Sequence, residues 1–340
     1  MKKLLGLVLS LVLAVSLCMT GCSGGGETGQ TGGGTDAQKT DEGSAQAQDT
    51  QKDTEQLNIF FATAFMTVPY AAPMNTAMEE YAKENNINLQ MVDGEGDSQK
   101  QLDQIKNAVT QGVDGIIYWP ADAASTIPVV NYLAECGVPY VVLNSKVDAS
   151  VQDKVPAYVG LDYEMAGGIS GDLALDYLKD GGNVVVVEGV MGTEAQIGYL
   201  KGFEDKIAQN DKIKVLAKQS AEWDTAKAMK IMEDYITTFG EEIDLVYSED
   251  DGMYQGIAAA LSDAGLSDKI KCVCNGQLQF VLDQIQSGVL LGASSQDPSV
   301  EGRTGIEVMH KVIMGEEVPE WTKIDCRLIT PDNVNEFNGW

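Results

Sequence analysis

Basic and redox chemistry are scarce in this chain. Its 340 residues hold one histidine, His310, and two arginines, Arg303 and Arg327, against 51 acidic residues, for a formal net charge of −28. Nucleic-acid backbones are bound by clustered Lys and Arg, so nucleic acid is excluded as a partner. Phosphate and carboxylate ligands usually rest on Arg forks, which disfavours anionic ligands before any site is located. No CxxC pair occurs, and with one histidine a zinc site or a Cys-His catalytic pair has little to build on, so no metal is expected. No GxGxxG follows a strand-like run, and Gly94-Glu95-Gly96 lacks the third glycine; the dinucleotide fingerprint is absent and no cofactor is expected. Beyond Cys22 no apolar run reaches transmembrane length.

What is present begins with a processing signal. Lys2 and Lys3 supply a positive start, Leu4 to Leu17 form a short apolar run, and small residues lead to Cys22. Residues 1–21 read as a signal peptide. The stretch before Cys22 resembles a bacterial lipoprotein box, although Met19 and Thr20 are not its commonest occupants; that resemblance implies lipidation of Cys22 and tethering to the outer side of the cell membrane. The rival reading is an ordinary secreted protein in which Cys22 is one more thiol. Residues 22–56 are built from Gly, Ser, Thr, Gln, Asp and Glu, a composition with almost nothing to bury, and are expected to be a flexible leash. Its expected reach is about 30 to 35 Å.

From Leu57 onward, short apolar runs alternate with longer amphipathic ones, the pattern of βαβ units and mostly parallel sheets. Ten strand-like runs extend from Leu57–Ala62 to Gly292–Ser295, and nine helical stretches from Pro73–Asn85 to Pro298–Met314. Asp224, Asp251 and Asp297 are expected helix caps, and Gly112, Gly137, Gly265 and Gly288 sit just past helix ends. Of the remaining cysteines, Cys136, Cys272, Cys274 and Cys326, the pair Cys272 and Cys274 shares one face of a strand; a metal pair or a disulfide partner is conceivable, and buried structural thiols fit better. Units fall on both sides of Leu161 without a linker between them. Two similar α/β halves with stiff crossings are expected, an arrangement that permits hinge closing around a bound molecule.

In open parallel sheets ligands bind beyond the carboxyl ends of the strands. The residues there are Thr67 and Tyr70, Asn144, Glu194 and Gln196, Glu222 and Trp223, Glu249 and Asp250, Asn275, and Gln296. The set holds amides, carboxylates and two rings, with no basic group. That suits a neutral polyhydroxylated ligand, whose hydroxyls pair with amides and acids while its C–H face stacks on a ring. It suits an amine nearly as well, since rings and acids make a cation cage. Each residue also has a plain structural role: Trp223 as a staple partner of Ala228, Asn275-Gly276 as a turn, Gln296 as a bridge at a domain crossing, Tyr70 as a lid on the core. Asp251 reads as a helix cap, leaving Asp250 for ligand contact, and Trp119-Pro120 reads as packing.

Pro69-Tyr70, Asp114-Gly115-Ile116-Ile117, Val141 to Asn144, Gly192-Thr193, Gly202-Phe203, Trp223-Asp224, Asp250-Asp251, Asn275-Gly276 and Gln296, in this order, resemble the ribose-type periplasmic sugar-binding proteins, solute receptors of ABC importers. The resemblance implies two Rossmann-like lobes with parallel sheets joined by a three-crossing hinge near Leu161, Gln296 and Asp325. The lobes would be residues 57–161 plus 297–325 and residues 162–296 plus 326–340. It further implies Tyr70 and Trp223 as stacking rings, Asp250 and Asn275 as hydroxyl partners and Gln296 as a hinge contact. Where the ribose pattern has Asp-Arg this chain has Asn144-Ser145, and where it has Arg there is Ile197; Val68 replaces a polar residue. Ribose itself is therefore disfavoured. The expected protein is a monomeric, lipid-anchored, non-enzymatic receptor that delivers a small neutral sugar or polyol to an ABC permease, with signalling to a sensor kinase left open. The rivals are a receptor for a cationic amine or nucleoside, and a glycosidase using Glu222, Glu249 or Asp250.

Overall fold

A strand covered by helices on both faces shows a continuous apolar run instead of alternation. Val184, Val185, Val186 and Val187 form such a run, and all four are fully buried. The computed structural model describes residues 56–340. The expected signal peptide, the lipidation of Cys22 and the leash up to residue 55 lie outside the described residues.

The first part of the fold runs β1 (Leu57–Thr63), α1 (Ala71–Glu84), β2 (Ile87–Asp93), α2 (Ser98–Gln111), β3 (Gly115–Tyr118), α3 (Thr126–Glu135), β4 (Tyr140–Leu143) and β5 (Tyr158–Gly160). The second runs α4 (Tyr163–Tyr177), β6 (Gly182–Glu188), α5 (Glu194–Ile207), β7 (Ile213–Ser220), α6 (Thr225–Phe239), β8 (Leu245–Ser248), α7 (Asp251–Asp263), β9 (Lys271–Asn275), α8 (Gln279–Gln286) and β10 (Leu290–Ser294). Then come α9 (Pro298–Ile313), β11 (Trp321–Lys323) and β12 (Leu328–Ile329).

These strands form two six-stranded sheets, ordered β11-β5-β4-β3-β1-β2 and β12-β10-β9-β8-β6-β7. Pairing is parallel throughout except between β10 and β12. Each sheet with its helices makes one α/β lobe. The chain leaves one sheet for the other after β5, after β10 and after β11. Helix α9 returns to the first sheet and packs so closely on α1 that a Cβ at Gly302 would lie 2.4 Å from the Met74 carbonyl oxygen. In each sheet the order reverses once, between β1 and β3 and between β6 and β8, and a crevice opens where neighbouring connections leave in opposite directions.

The element rhythm follows the sequence pattern, with two additions: β11 and β12 span three and two residues, too short to register as periodic runs. Gly112, Gly137, Gly265 and Gly288 all take positive φ past their helices. One cap is corrected. The residue capping α7 is Asp250, extended at φ −146°, ψ 168°, with its carboxylate accepting from the Met253 N–H at 2.6 Å. Asp251 is already helical, and its carboxylate accepts from the Leu278 N–H at 2.8 Å, tying α7 to the loop after β9. Asp224 and Asp297 cap α6 and α9 as expected. Cys272, Cys274 and Cys326 are buried and unbridged. His310 is paired with the Tyr81 hydroxyl at 3.2 Å. Among the described residues no helix is long and apolar enough to cross a membrane, and no cluster of His, Cys, Asp and Glu could hold a metal ion.

Candidate functional site

The loops leaving β1, β3 and β4 in one lobe and β6, β7 and β8 in the other face a common cleft, the place where ligands bind in folds of this kind. The first lobe contributes Phe65, Val68, Pro69 and Tyr70 from the β1–α1 loop, Trp119 after β3, and Asn144 and Ser145 after β4. From the second come Tyr163 on α4, Thr193, Ala195 and Tyr199 around the start of α5, Trp223 after β7, and Asp250 and Asp251 at the start of α7. Gln296, between β10 and α9, and Trp340 complete the lining. No Lys, Arg or His is among these residues.

The rings are held by specific contacts. Phe65 meets Trp119 edge to face at 6.2 Å, Tyr70 meets Trp119 at 6.4 Å, and Tyr163 meets Tyr199 at 5.0 Å. Trp223 sits at φ +60° behind Glu222 at φ +56°, a left-handed pair that a bulky residue adopts only under constraint. The constraint is visible at Gly189, where a Cβ would fall 2.0 Å from the indole; the ring rests directly on the backbone that follows β6.

Behind the first-lobe wall lies Glu301, in the first turn of α9 and 1 % exposed. Its carboxylate accepts from the Tyr70 hydroxyl and from the Asn144 amide, the latter at 3.1 Å. Burial pushes this acid up to about 7, with the two hydrogen bonds pulling the other way. Asn144, at φ +67°, also accepts from Ser145, and its carbonyl receives the Tyr158 and Tyr163 hydroxyls at 2.7 and 3.1 Å. Across the cleft, burial and then mutual repulsion hold Asp250 well above the usual carboxylate range, and burial does the same to Asp251; the pair keeps a proton where isolated acids would have lost it. Glu249, fully buried beneath them, is likewise pushed up by burial and accepts from the Gly189 N–H at 2.7 Å.

The lobes also touch beside the cleft. Lys146, after β4, gives its N–H to Glu194 of α5 at 2.6 Å and its ammonium to the same carboxylate at 2.9 Å. Near the crossings, Tyr199 donates to Gln296 at 2.8 Å and Lys323 pairs with Asp162 at 3.1 Å.

Of the residues expected from sequence, Tyr70, Asn144, Trp223, Asp250 and Gln296 come together in the cleft. Six do not line it, among them Glu194 and Glu249, whose bonds to Lys146 and Gly189 are given above. Thr67 is exposed on the β1–α1 loop. Gln196 is buried in the first turn of α5, donating to Glu188 at 3.1 Å and accepting from Gly192 at 3.2 Å, so it shapes the loop. Glu222 is exposed and paired with Lys227 at 2.5 Å. Asn275 is fully buried under the cleft floor; its amide donates to the Tyr247 hydroxyl and the Glu249 carbonyl, and its oxygen accepts from Ser170 and Ser294. Trp119 and Asp251, read from sequence as packing and capping residues, do line the cleft, and Phe65, Tyr163, Tyr199 and Trp340 were missed. Position directly after a strand marks Trp119; nothing local marks Tyr199, within α5, or Trp340, far from any strand of the cleft.

Comparison with known proteins gives a consistent picture. The xylitol-binding protein of Mycolicibacterium smegmatis is 32% identical over 258 residues, covering 76% of this chain and 73% of that protein. The ribose import binding protein of Escherichia coli is 24% identical over 261 residues, covering 77% and 86%. Among solved structures, an ABC transporter solute-binding protein from Bacillus halodurans with bound myo-inositol superposes with a TM-score of 0.78 at 28% identity, covering 84% of this chain and 98% of that one. Residues 59–317 match the family model of the periplasmic binding protein domain. With two parallel-sheet lobes and three crossings between them, the chain belongs to that family, in its ribose-like type I form.

Proposed function

We propose that this protein captures a small uncharged polyhydroxylated molecule, a sugar or polyol, between its lobes and presents it to an ABC permease, and that it breaks no bond. The observation that carries this reading is the composition of the cleft: seven rings from Tyr, Trp and Phe on two lobes, acids whose hold on a proton burial strengthens, amides, and no cation. Ring faces take the C–H side of such a ligand while acids accept from its hydroxyls and amides both donate and accept. Similarity to proteins described as binding xylitol and myo-inositol supports the same class. The residues we assign to ligand contact are Tyr70, Asn144, Trp223, Asp250 and Gln296, with Trp119 and Asp251 beside them. Residues 57–161 plus 297–325 act as one lobe and 162–296 plus 326–340 as the other, and ligand favours their closed arrangement by touching both.

Proteins of this family work outside the cytoplasm; anchoring through lipid on Cys22, a monomeric state and service to a sensor kinase are further parts of the proposal. Titration calorimetry with xylitol, ribose, myo-inositol and a set of primary amines tests it. A polyol or sugar binding at micromolar level or tighter is the expected result. Binding of amines alone would favour the second reading, to which Asp250, Asp251 and the rings give a concrete basis as a cation cage. The two readings also differ in protons: an amine drives them off the acid pair, giving a heat that changes with buffer, whereas a neutral polyol leaves the pair's proton in place.

A further inference from the structure

We infer that Trp340 is a specificity-determining wall of this site, supplying an indole N–H to an acceptor oxygen of the bound ligand; the inference rests on the polyol reading above. The segment after β12 is pinned to the second lobe. Thr330 and Asn333 make a local turn, with the Thr330 N–H on the Asn333 side chain at 2.8 Å, and Val334 is 4 % exposed. Gln277 donates to the Asn338 carbonyl at 3.0 Å, and Gly339 lies against α8, where a Cβ would be 2.4 Å from the Gln279 Cα. This close approach fixes where Trp340 sits.

From that anchorage the Trp340 ring crosses to the first lobe and meets Tyr70 edge to face, with centroids 6.0 Å apart at 89°. Tyr70 is in turn edge-on to Trp119, so the ring series Trp340–Tyr70–Trp119 spans the cleft from the second lobe into the first. Trp340 lines the cleft, and its Nε1 is shut off from solvent with no hydrogen-bond partner among the described residues. An indole nitrogen is a donor only, and a buried donor without an acceptor is unfavourable, so a guest that brings an oxygen there is preferred over one that brings a C–H. The Tyr70 hydroxyl donates to Glu301 and makes no bond to this N–H. The residue thus reads one hydroxyl of the ligand and, through its contact with Tyr70, ties that reading to the approach of the lobes.

The test compares wild type, Trp340→Phe and Trp340→Ala against xylitol, ribose, myo-inositol and primary amines by titration calorimetry, with circular dichroism melts to verify folding. Phe keeps a ring and removes the N–H; Ala removes the wall. For the tightest-binding polyol, Trp340→Ala is expected to weaken binding tenfold or more and to flatten the differences across the panel, and Trp340→Phe to weaken it about threefold to tenfold. If both folded variants bind within twofold of wild type with the same ranking, the inference is overturned while the polyol reading stands. If wild type binds amines and no polyol, the polyol reading and the hydroxyl-reading role of Nε1 fall together.

Discussion

Glu301 sets a pH dependence that can be measured without knowing the ligand. Its carboxyl is raised from an ordinary 4.5 to about 7, chiefly by burial. Below the lower value both folded and unfolded chains hold the proton and the residue contributes nothing. Between the two the unfolded chain ionises first, so the native state loses stability as pH rises, and above the upper value the penalty is complete at about 3 kcal/mol. Glu301→Gln keeps an oxygen for the Asn144 amide and removes the charge. In urea unfolding its advantage over wild type is expected to grow by about 2 to 3 kcal/mol between pH 5 and pH 8; a constant difference would show that Glu301 does not carry the shift. A second residue-scale test concerns the seat of Trp223. Gly189→Ala places a methyl 2.0 Å from the indole, and the ring is the more movable partner. Loss of polyol affinity of about tenfold or more with a retained fold is expected by calorimetry; unchanged affinity would mean the ring is not a ligand wall. Tyr70 and Trp223 were legible as cleft-lining residues because both lie in loops that leave the carboxyl ends of strands, β1 and β7. Sequence reading misplaced Asn275 because the last residue of β9 still belongs to the pleat and turns into the floor, where four partners hold it. It misplaced Glu222 because a left-handed pair of residues sends neighbouring side chains apart, and only one of them reaches the cleft.

The pair α4 and α5 brings two of the missed tyrosines to the cleft. These helices cross where glycines let backbone touch backbone: a Cβ at Gly202 would lie 2.0 Å from the Glu164 carbonyl, and one at Gly167 would lie 2.1 Å from the Tyr199 carbonyl. Tyr163 and Tyr199 follow from that approach, edge to face across the crossing. Gly202→Ala forces the helices apart, and a loss of about 1 to 3 kcal/mol is expected in thermal or urea unfolding, with no loss contradicting the close-packed crossing. At this scale the sequence was most legible. Runs such as Val184 to Val187 declare a strand buried on both faces, and the amphipathic stretches between such runs declare the helices over them. What escaped were β11 and β12, whose few residues acquire strand geometry only from the sheet edges they join, and the cap of α7, where Asp250 and Asp251 are equally good caps until the backbone chooses.

For the whole molecule, the two-lobed plan was readable from the count of βαβ units and the missing linker, whereas the contacts that bring the lobes together join residues far apart in sequence and leave no local trace. Lys146 and Glu194 are the clearest of these, a two-point attachment across the cleft with the carboxylate largely out of water. Glu194→Ala removes the acceptor of both bonds. Without ligand, its radius of gyration in small-angle scattering is expected to exceed that of wild type, and its ligand affinity to fall by the fraction of closed form lost; identical scattering would mean the attachment does not favour closure. The central claim, that the lobes shut on an uncharged polyhydroxylated guest, is tested most directly by calorimetric titration of wild type with xylitol, ribose, myo-inositol and primary amines. Saturable binding of a polyol or sugar, with a heat independent of buffer, is the predicted result; binding confined to amines, with protons released, would contradict it.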